Sequence, residues 1–340
     1  MTRRMVNEGR KRVDPCKSIH CRLYTIHILF FLLAALVPVG AYAAKPVPVA
    51  KPYDKSYVGK MDTLTTVYED TLVKIARDHN LGFNELRAAN PGVDPWLPGA
   101  GVKLVLPSMH LLPQAPREGI VINLPEQRFY YFRTPGKPPI THPIGVGREG
   151  LATPTGKTKV VRKVIGPTWR PTPRMRSEDP KLPESIGPGP DNPMGTHAMY
   201  LGWPEYAMHG TNKPYGIGRR VSSGCIRLYP EDIVSMYDIV PVGTPVTVVD
   251  QPIKVGWVGD DLYMEAHPSL AQADDMEQTG SVASYEFTSK DMSILMHEAG
   301  PYAKRIDWPL VRKIVRLREG FPVIIATKPA GKKTDDDNRS

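Results

Sequence analysis

The chain has 340 residues, 41% hydrophobic and 23% charged, a balance that suits a folded globular protein and excludes disordered, collagenous and multispan membrane chains. Its 36 prolines and 29 glycines favour many short strands joined by turns over a long helical bundle, and three cysteines are too few for a disulfide scaffold. The formal net charge of +9 sits largely at one end: residues 1–44 hold seven Lys/Arg and two Asp/Glu, leaving 37 basic against 33 acidic side chains in the remainder. With no Lys/Arg stripe interleaved with aromatics, no nucleic-acid partner is expected, while a mildly positive protein suits a polyanionic envelope polymer.

The basic residues between Arg3 and Arg22 precede an uncharged, largely apolar stretch at 23–44 that ends in Ala41-Tyr42-Ala43. This reads as a secretory signal, or as a membrane anchor if it stays uncleaved, and either way it puts the rest of the chain outside the cytoplasm. Cys16 and Cys21 lie before the apolar stretch, so Cys225 is the single thiol of the exported part. A lone cysteine in an oxidising compartment is a buried inert side chain, an intermolecular link or a nucleophile.

Residues 45–61 form a Pro/Lys/Val linker expected to be extended and poorly ordered. Residues 62–107 read as a small α+β unit: a strand at 65–68, a helix N-capped by Asp70 with Leu72, Ile75 and Ala76 on one face, a helix at 84–89, a turn at Asn90-Pro91-Gly92 and a strand at 102–106. A Pro-rich link at 108–118 leads to a strand-rich stretch at 119–250. It opens with a hairpin at 119–124 and 128–132 and continues with strand candidates at 142–146, 157–162 and 198–202, one helix at 231–239 and a last strand at 244–249. Short strands with Gly/Pro turns make the fold mainly β, a sandwich or closed sheet rather than a βαβ array. Residues 251–327 add a partly helical extension: a hairpin at 255–264 and helices at 289–297 and 308–319, the latter supported by Asp307, Pro309 and the Val311, Ile314, Val315 face. Residues 328–340 read as a disordered tail.

The chemistry gathers between residues 192 and 228. Asn192-Pro193-Met194-Gly195 and His209-Gly210-Thr211 are followed by Val221-Ser222-Ser223-Gly224-Cys225-Ile226-Arg227-Leu228. A thiol becomes an acyl-transfer nucleophile near neutral pH when a base draws off its proton, and His209, sixteen residues before Cys225, can be returned beside it by two strand segments and a Gly-rich loop. Gly224 and Gly210 allow close backbone approach, so amides near Cys225 can form an oxyanion hole. Arg227, two residues beyond the thiol, is placed to hold a carboxylate, with Ser222 and Ser223 as further substrate-facing groups.

The run from His209 through Ser222-Ser223-Gly224-Cys225-Ile226-Arg227-Leu228 resembles the signature of the L,D-transpeptidase (YkuD-type) catalytic domain. Asn123-Leu124-Pro125, Pro143-Ile144-Gly145, Thr153-Pro154-Thr155-Gly156 and Asn192-Pro193-Met194-Gly195 add to the likeness, which covers about 119–250. Asp70-Thr71-Leu72, Ile75-Ala76 and Asn90-Pro91 resemble a LysM module, a glycan-binding unit, and the pair resembles Gram-negative envelope transpeptidases, a resemblance that narrows the compartment to the periplasm, with the inner membrane holding any uncleaved anchor. The resemblance implies a β-rich catalytic fold and acyl transfer on peptidoglycan stem peptides through a Cys225 thioester with His209 as base. The acceptor it implies is a diaminopimelate amine or an outer-membrane lipoprotein lysine, and no cofactor is called for.

One departure is Ser223, where many members of the family have His. His197 reads as a structural or substrate-wall residue. Zinc ligation by His197, His209 and Cys225 lacks the compact ligand pairs of zinc sites. Two other functions stay open at this level, a hydrolase that uses water as acceptor on the same stems and a non-catalytic wall-binding adaptor.

Overall fold

The computed structural model describes residues 51–283 and 287–329, and the signal or anchor read at 1–44 lies outside them. The first unit comprises β1 (Tyr57–Gly59), β2 (Asp62–Thr65), α1 (Leu72–Asp78), α2 (Phe83–Ala89), β3 (Lys103–Leu106) and β4 (Met109–Leu111). β2 and β3 pair antiparallel around a small core of Leu72, Ile75, Leu86 and Leu104. The α1 cap is Thr71, whose hydroxyl accepts the Lys74 amide at 3.1 Å, one residue later than expected. Asp70 instead accepts the Val67 amide at 2.9 Å and closes the preceding turn, which also moves the first strand back to 62–65. β1 and β4 come from the two stretches expected as linkers and pair with each other, because Tyr53 and Leu112 bury themselves against Tyr130.

The central unit holds β5 (Gly119–Asn123), β6 (Arg128–Phe132), β7 (Ile140–Pro143), β8 (Val146–Gly147), β9 (Gly156–Ile165), α3 (Pro173–Glu178), β10 (His197–Leu201), β11 (Ala207–His209), β12 (Arg220–Ser222), β13 (Ile226–Arg227), α4 (Pro230–Ile239) and β14 (Pro245–Val249). Eight of these strands form one sheet in the order β13-β11-β10-β9-β14-β5-β6-β7, and β12 pairs with β8 at its side. The β5–β6 hairpin is buried on both faces rather than one. Ile120, Ile122, Phe129 and Tyr131 enter the main core with Met199, Met208 and the α4 residues Ile233 and Met236, while Tyr130 faces the N-terminal segment.

The C-terminal part contains β15 (Ile253–Val258), β16 (Asp261–Ala266), α5 (Leu270–Thr279), α6 (Ser289–Ala299), α7 (Trp308–Leu317) and β17 (Val323–Thr327). α7 is capped by Asp307, which accepts the Leu310 amide at 3.0 Å, and buries Val311, Ile314 and Val315. Lys328, expected to begin the tail, is instead tied to the Asp260 carbonyl by its amide at 2.9 Å.

An ionic cluster joins the three parts. Lys254 of β15 places Nζ 2.8 Å from both Glu126 and Glu265 and donates to the Leu111 carbonyl at 2.7 Å. Glu265 also accepts the Leu111 amide at 2.6 Å and faces His267 at 2.5 Å. Nearby, Arg128 of β6 binds Glu85 of α2 at 2.7 Å. Burial alone would raise Glu126, but the Lys254 charge holds its carboxyl below the usual range. Burial, with the charges of Arg128 and Lys254, drives His110 well below the usual imidazole value and keeps it neutral.

Candidate active site

Register places the chemical groups. β11 runs parallel to β13 with Met208 opposite Ile226 and His209 opposite Arg227. Met208 and Ile226 are fully buried in the main core, so the alternate residues His209 and Arg227, with Cys225 two before Arg227, project to the other side. There they line a cleft of about 1530 Å³ together with Ser222 and Ser223.

The loop carrying the thiol is held by its own polar groups. Ser222 is 1% exposed; its hydroxyl donates to the Cys225 carbonyl at 2.5 Å and accepts the Gly224 amide at 3.2 Å. Thr153 donates to the Gly224 carbonyl at 2.8 Å and accepts the Gly147 amide at 3.1 Å. Gly224 has φ +106° and a Cβ there would lie 3.0 Å from the Tyr206 ring, so the position needs glycine for both conformation and space. Gly210 donates its amide to the His197 carbonyl at 3.1 Å. The amides of both glycines are therefore engaged within the fold. Ser223 lines the cleft directly beside the thiol.

His209 is buried, and its Nδ1–H donates to the Gly210 carbonyl at 2.6 Å. That bond leaves the lone pair of the neutral ring on Nε2. Burial, then the Arg227 charge, pushes its pKa down to about 4, against the pull of the Gly210 and Met194 carbonyls. The Cys225 thiol donates to the Glu205 carbonyl at 3.4 Å. Burial pushes its pKa up, while the Ala207 amide and the Arg227 guanidinium draw it the other way. At neutral pH the pair is a thiol and a neutral imidazole. Arg227 is half-buried, its Nε has no hydrogen-bond partner, and no carboxylate pairs with it among the described residues.

His197 lies outside the cleft: its ring meets Tyr237 edge-on at 4.8 Å and its Nδ1 faces the Thr196 hydroxyl at 2.9 Å. The segment 166–196, which sequence reasoning passed over apart from Asn192 to Gly195, supplies the far wall of the cleft with Trp169, Arg170 and Met175 of α3. Its one available signal was proline density. Asn192 anchors it, donating to the Pro167 carbonyl at 2.6 Å and the Gly187 carbonyl at 3.0 Å and accepting the Met194 amide at 2.8 Å. Gly195 then packs so closely on the Gly210–Thr211 backbone that a Cβ would lie 2.7 Å from the Thr211 nitrogen.

A thiol, an imidazole and a guanidinium with no carboxylate partner among the described residues thus line one cleft wall. The profile of the L,D-transpeptidase catalytic domain, YkuD, matches residues 117–248. The chain is 37% identical over 313 residues to the probable L,D-transpeptidase YbiS of Escherichia coli K12, covering 90% of this chain and 99% of that protein. It is 44% identical over 313 residues to the probable L,D-transpeptidase YcfS of the same strain, covering 87% of this chain and 93% of YcfS. To ErfK/SrfK of that strain, also a probable L,D-transpeptidase, it is 42% identical over 229 residues, 65% of this chain and 74% of that protein. The chain belongs to the L,D-transpeptidase family.

Proposed function

We propose that this protein is an exported L,D-transpeptidase that acts on peptidoglycan stem peptides through a thioester on Cys225. The observation that carries the reading is the shared face of β11 and β13, which aims Cys225, His209 and Arg227 into one cleft. Cys225 sulfur attacks the carbonyl of the third stem residue, diaminopimelate, as its proton passes to His209 Nε2. The tetrahedral oxyanion faces the amides of Ser223 and Cys225, since those of Gly224 and Gly210 are already bonded. Collapse breaks the peptide bond, His209 returns the proton to the leaving D-Ala amine, and a thioester remains. An acceptor amine then attacks, gives its proton to His209, and releases the thiolate to be reprotonated. A diaminopimelate amine gives a 3–3 crosslink, and a lipoprotein lysine gives an anchored protein. Arg227 meets a stem carboxylate with a charge that no carboxylate among the described residues neutralises. The N-terminal unit is the wall-binding LysM-like module of this reading, and Tyr68, 82% exposed, offers an aromatic face for a glycan.

Two results follow. Since Cys225 is the only cysteine after residue 44, folded exported protein gains a single adduct mass from a carbapenem, whose strained lactam carbonyl stands in for the donor. Neither Cys225→Ser nor denatured wild-type protein gains it. Equal labelling of folded and denatured protein would make the thiol ordinary and favour a wall-binding adaptor. Mass spectrometry of muropeptides from the same enzyme separates crosslinked from merely trimmed stems, and trimming alone would make it a hydrolase. The second result concerns Arg227→Lys, which keeps the charge and loses the bidentate fork; it lowers turnover by about tenfold, as expected for a lost paired hydrogen bond in a dry site. Unchanged turnover would remove the carboxylate role.

A further inference from the structure

The stretch that leads into the catalytic loop, from Ile217 to Ser222, is held from outside the catalytic unit by two other parts of the chain. From the N-terminal unit, the amides of Phe83 and Asn84 at the start of α2 donate to the carbonyls of Ile217 and Gly218 at 3.4 and 3.2 Å. The contact is backbone on backbone: Gly218 has φ +73°, and a Cβ there would meet the Gly82 Cα and the Phe83 nitrogen at 2.3 Å each. The next residue, Arg219, lays its guanidinium 3.8 Å from the centre of the Phe83 ring, which itself stacks on Trp96.

From the C-terminal side, α5 engages the same two arginines. Arg219 pairs with Glu277 at 3.3 Å, and Arg220 pairs with Asp274 at 3.2 Å and reaches the Leu270 carbonyl. Arg87 of α2 donates to the Glu277 carbonyl at 2.5 Å, so the two supports are tied to each other. From Arg220 the path to the thiol is short. β12 pairs Arg220 with Val146 and Ser222 with Gly147, and Ser222 fixes the Gly224 amide and the Cys225 carbonyl.

We infer that Gly218, Arg219 and Arg220 are positioning residues, through which α2 and α5 together hold β12 and so set the attack geometry of Cys225. The N-terminal unit and the C-terminal extension are then working parts of the active site as well as appendages to it. A strand of three residues paired with one of two has little rigidity of its own. Two arginines that are 11% and 7% exposed at their side chains, each with a carboxylate on α5, restore what the short ladder lacks. Displacements of a reacting group by about an ångström are enough to cost a hundredfold in rate.

The inference rests on Cys225 being the nucleophile, and its test is arranged to separate the two. In the full-length protein, the double variant Asp274→Asn, Glu277→Gln alters only α5 side chains that do not line the catalytic cleft. Carbapenem acylation is followed at rising concentrations, with rates normalised to the titre of reactive Cys225. The first-order acylation rate is expected to fall by about tenfold with half-saturation unchanged, the signature of misplaced chemistry rather than weakened binding. Arg220→Gln should do the same, and Arg220→Lys should recover part of the loss. Wild-type rates in both the α5 variant and Arg220→Gln would overturn the inference, as would a loss confined to half-saturation or one accounted for by a smaller folded fraction. If Cys225→Ser still turned over stem peptide, the nucleophile reading itself would fail and the brace with it. Full loss in Cys225→Ser alongside normal α5 variants removes the brace alone.

Discussion

If the proposed mechanism holds, His209→Ala is expected to lower acylation of Cys225 by about two to four orders of magnitude, the usual worth of a positioned proton acceptor. The reason is specific to this site. Burial keeps the Cys225 thiol protonated at neutral pH, so no standing thiolate exists to react without a base. His209 is neutral because burial and Arg227 hold its pKa to about 4, and its Nδ1 is committed to the Gly210 carbonyl, which leaves Nε2 to take the proton. The sign of the pH dependence follows. A base works in its neutral form, so kcat/KM stays high down from neutrality and is lost as pH falls through about 4. An unperturbed imidazole would place that limb near 6.5 instead. A pH–rate profile of wild-type enzyme, together with single-turnover acylation of the variant, checks both statements. A loss below tenfold would remove His209 as the base, whereas an acid limb at the ordinary histidine value would show only that burial does not depress its pKa.

Lys254→Met destabilises the fold by about 3–5 kcal/mol, the cost of stripping one partner from a buried ion pair. Lys254 is 1% exposed at its side chain and is the cation for two fully buried carboxylates, Glu126 and Glu265. Removing it leaves both without their ammonium. Because Glu126 is held below its ordinary pKa, its wild-type contribution is present above the unfolded carboxylate value and lost as pH falls through the folded one. In the variant an unpaired buried carboxylate prefers its proton, so acid no longer costs stability there. Denaturant unfolding of both proteins at several pH values reads the difference. Adding Glu126→Gln and Glu265→Gln to Lys254→Met should recover part of the loss, since no buried charge is then left unpaired. A loss under 1 kcal/mol would show that the cluster is dispensable.

The sequence determined the groups and their local setting. The order of His209, Gly224, Cys225 and Arg227 carries the chemistry proposed above, because thiol, imidazole and guanidinium reactivity belongs to residue type. The hairpin at β5 and β6, α4, and the Asp307-capped α7 were legible because alternation, amphipathic spacing and caps act over a few residues. α5 carried a Ser269-x-x-Gln272 start signal that its weak apolar pattern concealed.

What only the tertiary structure decided is which of those groups meet. The parallel register of β11 and β13 joins strands across a long loop, and no local pattern encodes it. The same holds for Ser222, which reads as a substrate-facing serine and is spent inside the loop, and for Thr153, whose hydroxyl reaches Gly224 from far along the chain. The pKa of His209 depends on burial and on Arg227, both products of packing. Lys254, Glu126 and Glu265 look like surface charges in sequence, because composition makes Lys and Glu solvent-facing and only three-part docking could bury them. Local chemistry is written residue by residue, whereas long-range pairing is settled by the free energy of the whole assembled core.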